Sequence, residues 1–313
     1  MKFFIQKQIL QILFTLLLHF SAMAQMPHDA IYMPKKTLCT ALMYGNSSFS
    51  EYWEGTLLRN NSNMGTNTMQ SYSIMSAYGI SDKLNVIAML PYITTQNSAG
   101  NLLGQKGLQD FSIWLKYKAL EKNGFSLHGV LGASIPMTNY VPDFLPMSIG
   151  LGSKTASGKI IANYTHKTGL YLTAHGTYTL RSNITIDRDA YQANGKVINS
   201  NNVAIPNAAD AAVRLGISKK MFQTEIFVNH FTCVSGDNIR RNDMPFPTNN
   251  MQATAAGFYG KFQYKNIGLI GQVSQVLEGL NVGKNLNYSV GLLWQMKTLT
   301  KVPSKLFPEG KAY

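Results

Sequence analysis

Once its first 24 residues are set aside, the chain has no apolar run of the ~20 residues that a spanning helix needs, which excludes a helical membrane protein. Charge is scarce: Asp, Glu, Lys and Arg make up 14%, against about a quarter in ordinary soluble domains. There are only two cysteines, Cys39 and Cys233. That is too few for a disulfide scaffold, and free thiols are expected. No pair of histidines stands at zinc-ligand spacing. No Gly-rich loop leads a strand into a helix to cradle phosphate, and no Gly-x-Ser-x-Gly elbow is present. The reading therefore assigns no metal, no cofactor and no catalytic residue.

A missing basic run matters as much. The net charge is +13, falling to +11 without Lys2 and Lys7. The cations are dispersed over short turns and the tail, for example Lys122, Lys167, Lys219, Lys265 and Lys301. Nucleic acid is not an expected partner. Ammonium groups on long stems at short turns suit an anionic headgroup layer, or simply a solvated rim.

What the chain does have begins with "MKFFIQKQILQILFTLLLHFSAMAQ". A short cationic start, an apolar core from Ile9 to Phe20 and the small-x-small sequence Ala22-Met23-Ala24 read as a signal peptide over 1–24, removed on export. The expected organisation is then a periplasmic N-terminal segment over 25–36, a barrel over 37–297 and a periplasmic tail over 298–313.

Period-two alternation recurs near 37–45, 69–80, 83–96, 108–119, 125–136, 154–165, 169–182, 208–217, 221–233, 251–264, 266–277 and 286–297, rich in aromatic and β-branched residues as strands require. The connections alternate short and long. Ser81-Asp82, 121–124, 166–168, 218–220 and Lys265 are short, whereas 46–68, 97–107, 137–153, 183–207, 234–250 and 278–285 are long. This is the pattern of an outer-membrane barrel with short periplasmic turns and long external loops. In "LNYSVGLLWQMK", Leu286, Tyr288, Val290, Leu292, Trp294 and Met296 share one face, while Asn287, Ser289, Gly291, Leu293, Gln295 and Lys297 share the other. The expected fold is all-β, a 12-stranded antiparallel transmembrane β-barrel with its apolar face on outer-membrane lipid. Tyr72, Tyr78, Tyr92, Tyr117, Tyr164, Tyr178, Tyr264 and Trp294 are expected at the interfaces. In the last strand, Ser289-x-Gly291-x-x-Trp294-x-Met296 has the form read by barrel insertion machinery, an expected assembly partner.

On this facing, Asp110, Lys116, His128, Lys159, His175, Arg181, Asp210, Arg214 and Glu225 all point into the lumen. They read either as a salt-bridge network that stiffens the barrel or as a polar constriction that selects solutes. Tyr52, Trp53 and Arg59 lie in the long loop 46–68, where they either bind an apolar ligand at the outer mouth or pack on other loops.

"YGISDKLNVIAMLPYI" followed by "GLQDFSIWLKYK" resembles the MetA-pathway phenol-degradation family of outer-membrane transporters, through Tyr78-Gly79, Asp82, Pro91-Tyr92 and Gly107-Leu108-Gln109-Asp110. The resemblance covers residues 40–120 and implies passage of a small hydrophobic or aromatic molecule. Three other readings stay open: a lipid-modifying barrel enzyme, a non-conducting structural or secretion-associated barrel, and a soluble exported β-sandwich. The enzyme reading needs a serine beside His230, which faces lipid near the external end, and no neighbouring strand places one.

Overall fold

The computed structural model describes residues 25–241 and 243–297; the expected signal peptide and tail lie outside the described residues. Twelve long strands form the wall: β1 Thr37–Phe49, β2 Asn67–Gly79, β3 Leu84–Asn97, β4 Asp110–Lys122, β5 Phe125–Pro136, β6 Thr155–Thr165, β7 Leu170–Arg181, β8 Ala208–Lys219, β9 Phe222–Cys233, β10 Gln252–Tyr264, β11 Ile267–Leu280 and β12 Leu286–Lys297. Each pairs antiparallel with its sequence neighbour, and β1 also pairs with β12 from Thr37↔Lys297 to Ser48↔Leu286. That ladder closes the ring, so the wall has no free edge. The described residues contain no α-helix.

Local chemistry sets the turns. Between β4 and β5, Asn123 (φ 53°) and Gly124 (φ 82°) both take the left-handed conformation, as the two-residue hairpin connections that suit strand twist require. Pro91 in β3 cannot donate to the ladder. The partner strand bulges there: Met89 pairs with Ser112 and Tyr92 with Leu108, and the Gln109 amide donates to the Pro91 carbonyl at 2.9 Å. A bulge is one of the places where a strand proline fits.

The outer wall carries an apolar band, with Leu42, Ile74, Leu215 and Leu292 all exposed. Two aromatic belts flank it. Tyr117, Tyr164, Tyr264 and Trp294 ring the short-turn end, and Tyr72, Tyr92, Tyr178 and Tyr288 ring the long-loop end, all exposed. Of the expected girdle residues, Tyr78 is partly buried. Cys39 and Cys233 are free, as expected, and both are buried. β1 outruns its expected end and reaches Phe49, and β11 reaches Leu280, which leaves a connection of only five residues before β12.

Half of the inner wall departs from the polar lining that alternation suggests. Cys39, Ala41, Met75, Ala77, Ile87, Ile270 and Leu293 face inward and form the main buried apolar cluster together with Phe227 and Tyr259.

Leu42 sits at the middle of β1 on the outer face. Leu42→Arg is expected to cost roughly 2–4 kcal/mol, the depth-dependent penalty of a cation at a bilayer midplane, while Leu42→Phe stays near neutral. Denaturant unfolding in lipid vesicles measures both, and a neutral Leu42→Arg would place this face in water.

Candidate functional site

The lumen is occupied by the chain's own residues 25–36. Sequence reading set this segment apart from the barrel in the periplasm; in the structure it folds into the short-turn half of the lumen. The physical reason is the inner wall, which offers both apolar surface and an unpaired cation. Met33 is fully buried in the apolar cluster, and Met26 and Ile31 pack against the same cluster. The segment is pinned where it meets the wall. The Lys36 amide donates to the Gly79 carbonyl at 2.7 Å, and the Thr37 amide donates to the Pro34 carbonyl at 3.0 Å. A side chain on Gly79 would collide with the Met33 and Pro34 carbonyls, so this close approach requires glycine.

Asp29 organises the segment. Its carboxylate accepts from the Met26 amide at 2.7 Å and from the Ile31 amide at 2.9 Å, closing a local turn. It also pairs with Lys116 Nζ at 2.8 Å. Lys116 donates further to the Met26 and Ile31 carbonyls at 3.2 and 3.0 Å. All three protons of an ammonium buried at 0% exposure are thereby used. Tyr32 stacks on His128 at 5.3 Å between ring centroids, with Lys116 and Lys118 at 5.0 and 5.2 Å from its ring. His128 Nδ1 lies 3.2 Å from the Tyr32 hydroxyl, and Nε2 meets Ser126 Oγ at 2.9 Å.

The nine expected lumen residues do point inward, but they divide into separate groups. Arg214 pairs with Glu225, which also accepts from the Tyr171 hydroxyl at 2.6 Å; Gln223 donates to that hydroxyl at 2.9 Å. Asp210 holds His175 at 3.4 Å and Lys159 at 3.9 Å. His28, from the lumen segment, lies 6.1 Å from His175 between ring centroids. Towards the long loops, Asp110 accepts from the Tyr140 hydroxyl at 2.6 Å. Arg181 donates to the Pro206 carbonyl at 3.1 Å and lies over the Phe231 ring. Sequence reasoning missed Asp29, His28, Tyr171 and the buried Lys261. An inward Lys116 without a strand partner was the available signal for Asp29.

The long-loop end is also covered. Loop residues Met147 and Ile149 are buried, and Thr95 Oγ1 donates to the Met147 carbonyl at 2.6 Å. Trp53 belongs to the hairpin Glu51–Glu54/Leu57–Asn60 and packs on inward-facing Ala255 and Val276. Arg59 pairs with Glu54 at 2.5 Å, and Tyr52 bridges to Gly283. Asn281 ties the loops together: its side chain accepts from the Gly55 and Ile239 amides and donates to Asn238 and the Asn250 carbonyl. His230 is exposed on the outer wall, with Nδ1 2.9 Å from Thr254 Oγ1. Among the described residues no cluster of His, Cys, Asp or Glu is placed to hold a metal ion.

Two outcomes follow for the segment. Asp29→Ala strands a fully buried ammonium, a change that costs about 3–5 kcal/mol in such pairs; tryptic cutting at Lys35 and Lys36 is expected to accelerate by at least on the order of a hundredfold. The second concerns pH. Burial, then the cations Arg214 and Lys159 together with His175 and Lys116, hold the His28 imidazole well below its ordinary 6.5; the Asp210 carboxylate is bonded to His175 and Lys159. The released segment binds a proton below about 6.5 that the docked segment refuses, so docking is strongest above that pH and weakens as pH falls. Tryptic cutting at Lys35 and Lys36, measured from about pH 7.5 down to about 5.5, should rise, and His28→Gln should flatten that rise.

No family model and no curated protein sequence matches the chain. Among solved structures, the COG4313 outer membrane channel from Pseudomonas putida F1 superposes with a TM-score of 0.62 at 14% identity, over 88% of this chain and 100% of that chain. The NanC porin superposes at 0.49 and 9% identity over 82% of this chain and 100% of its own. The translocator domain of the autotransporter NalP from Neisseria meningitidis does so at 0.49 and 10%, over 85% and 90%. At these identities the likeness is one of fold: the chain has the closed antiparallel barrel of outer-membrane proteins.

Proposed function

We propose that the protein is an outer-membrane channel kept shut by its own residues 25–36, and that its solute is a small molecule with an apolar body and an anionic head. The observation that carries this reading is what the segment presents to the wall. Met26, Ile31 and Met33 cover the apolar side, while Asp29 takes Lys116. A solute with the same two ends competes for the same surface. Met43, Met75 and Met89 contribute to that surface, and methionine adapts to varied shapes. The resemblance over 40–120 supports the apolar half of this description, since it implies a hydrophobic or aromatic solute. The buried cations supply the reason for a charged head. The apolar outer band and its two aromatic belts support residence in an outer membrane.

Planar-bilayer currents of the full protein and of a variant lacking residues 26–33 test the reading. The deletion is expected to raise conductance severalfold. In liposome swelling, benzoate, an aromatic ring carrying a carboxylate, is expected to enter faster than glucose. Unchanged current after deletion would favour the non-conducting structural barrel. Equal entry of benzoate and glucose would sink the proposed solute class.

A further inference from the structure

Gln25 lies at the start of the lumen segment with 1% of its surface exposed. One atom of its side-chain amide meets the Asn85 amide at 2.6 Å, and the other has no partner. Ala22-Met23-Ala24, the expected signal-peptidase sequence, immediately precedes it. A cut after Ala24 creates an α-ammonium on Gln25, one residue from the Met26 carbonyl that Lys116 Nζ already holds at 3.2 Å. The nearby carboxylate, Asp29, is already engaged by Lys116 Nζ and by the Met26 and Ile31 amides. A second cation there is desolvated, repelled and without a counter-ion, which is the costly way to bury a charge.

We propose that Gln25 is a modification site, cyclised to pyroglutamate, and that this neutral lactam is the form that seats in the lumen. The proposal rests on removal of residues 1–24. The α-amino nitrogen attacks Cδ of its own side chain. The N–Cδ bond forms, the Cδ–Nε2 bond breaks, and Nε2 leaves as ammonia with a proton from the amine. Nothing is oxidised or reduced, and no co-reactant is consumed. The lactam keeps one carbonyl oxygen and one N–H with which to meet Asn85. It loses both the ammonium charge and the amide nitrogen. Because Gln25 is buried once seated, cyclisation precedes docking.

Intact-mass and N-terminal tandem mass spectrometry of protein purified from cells that export it test this. The expected N-terminal peptide starts at Gln25, is lighter by one ammonia than the glutamine form, and resists Edman degradation until treated with pyroglutamyl aminopeptidase. A Gln25 terminus with a free amine overturns the modification while leaving the cut in place. A terminus elsewhere removes the cut on which the proposal rests. A lactam fraction absent from freshly acidified samples, and growing only on storage, overturns it as well.

Discussion

The pairing of β1 with β12 is the constraint on which the rest depends. In hydrocarbon an unpaired backbone amide costs several kcal/mol, so a sheet there must have no edge. The ladder from Thr37↔Lys297 to Ser48↔Leu286 removes the edge. Closing it fixes what the interior must be: a cylinder lined by alternate residues from every strand. The outer half of that alternation is satisfied by lipid. The inner half is left with whatever the sequence supplies, and here it supplies two unlike walls.

One wall is apolar, from Cys39 and Ala41 through Met75 and Ile87 to Ile270 and Leu293; the other carries Arg214, Glu225, His175 and Asp210. Neither is stable bare. The ionic wall is largely self-satisfied by pairs between neighbouring strands, such as Arg214–Glu225 across β8 and β9. The apolar wall and Lys116 have no such internal solution and are covered by a segment that brings Met33, Ile31 and Asp29 together. Stability and closure of the lumen therefore come from the same contacts. Under the proposed function, a solute that opens the lumen has to replace them.

Most of the wall was legible because period-two alternation is a local signal. The Pro91-Tyr92 pair did not mark a strand end, since β3 runs on to Asn97 and Pro91 faces a bulge instead, but the inward direction of Lys116, His128 and Arg214 followed from counting. The contents of the lumen were not legible. Asp29 and Lys116 are 87 positions apart, and residues 25–36 have no periodicity to read. The assumption that inward charges pair across adjacent strands suits Arg214 and Glu225 and fails for Lys116. The apolar inner wall was visible in principle: Ile87 and Met89 stood on the face opposite Leu84 and Val86, and their burden was to say that both faces of β3 are greasy.

The attachment of the segment at Lys36, which holds a left-handed φ of 62° immediately before β1, makes closure an intramolecular event. An occupant tethered beside its own seat acts at an effective concentration on the order of millimolar. A freely diffusing rival must match that local abundance, weighted by its affinity, before it prevails. Under the proposed function, the barrel is thereby biased against traces of solute and responsive to plenty, a threshold written into the length of a leash.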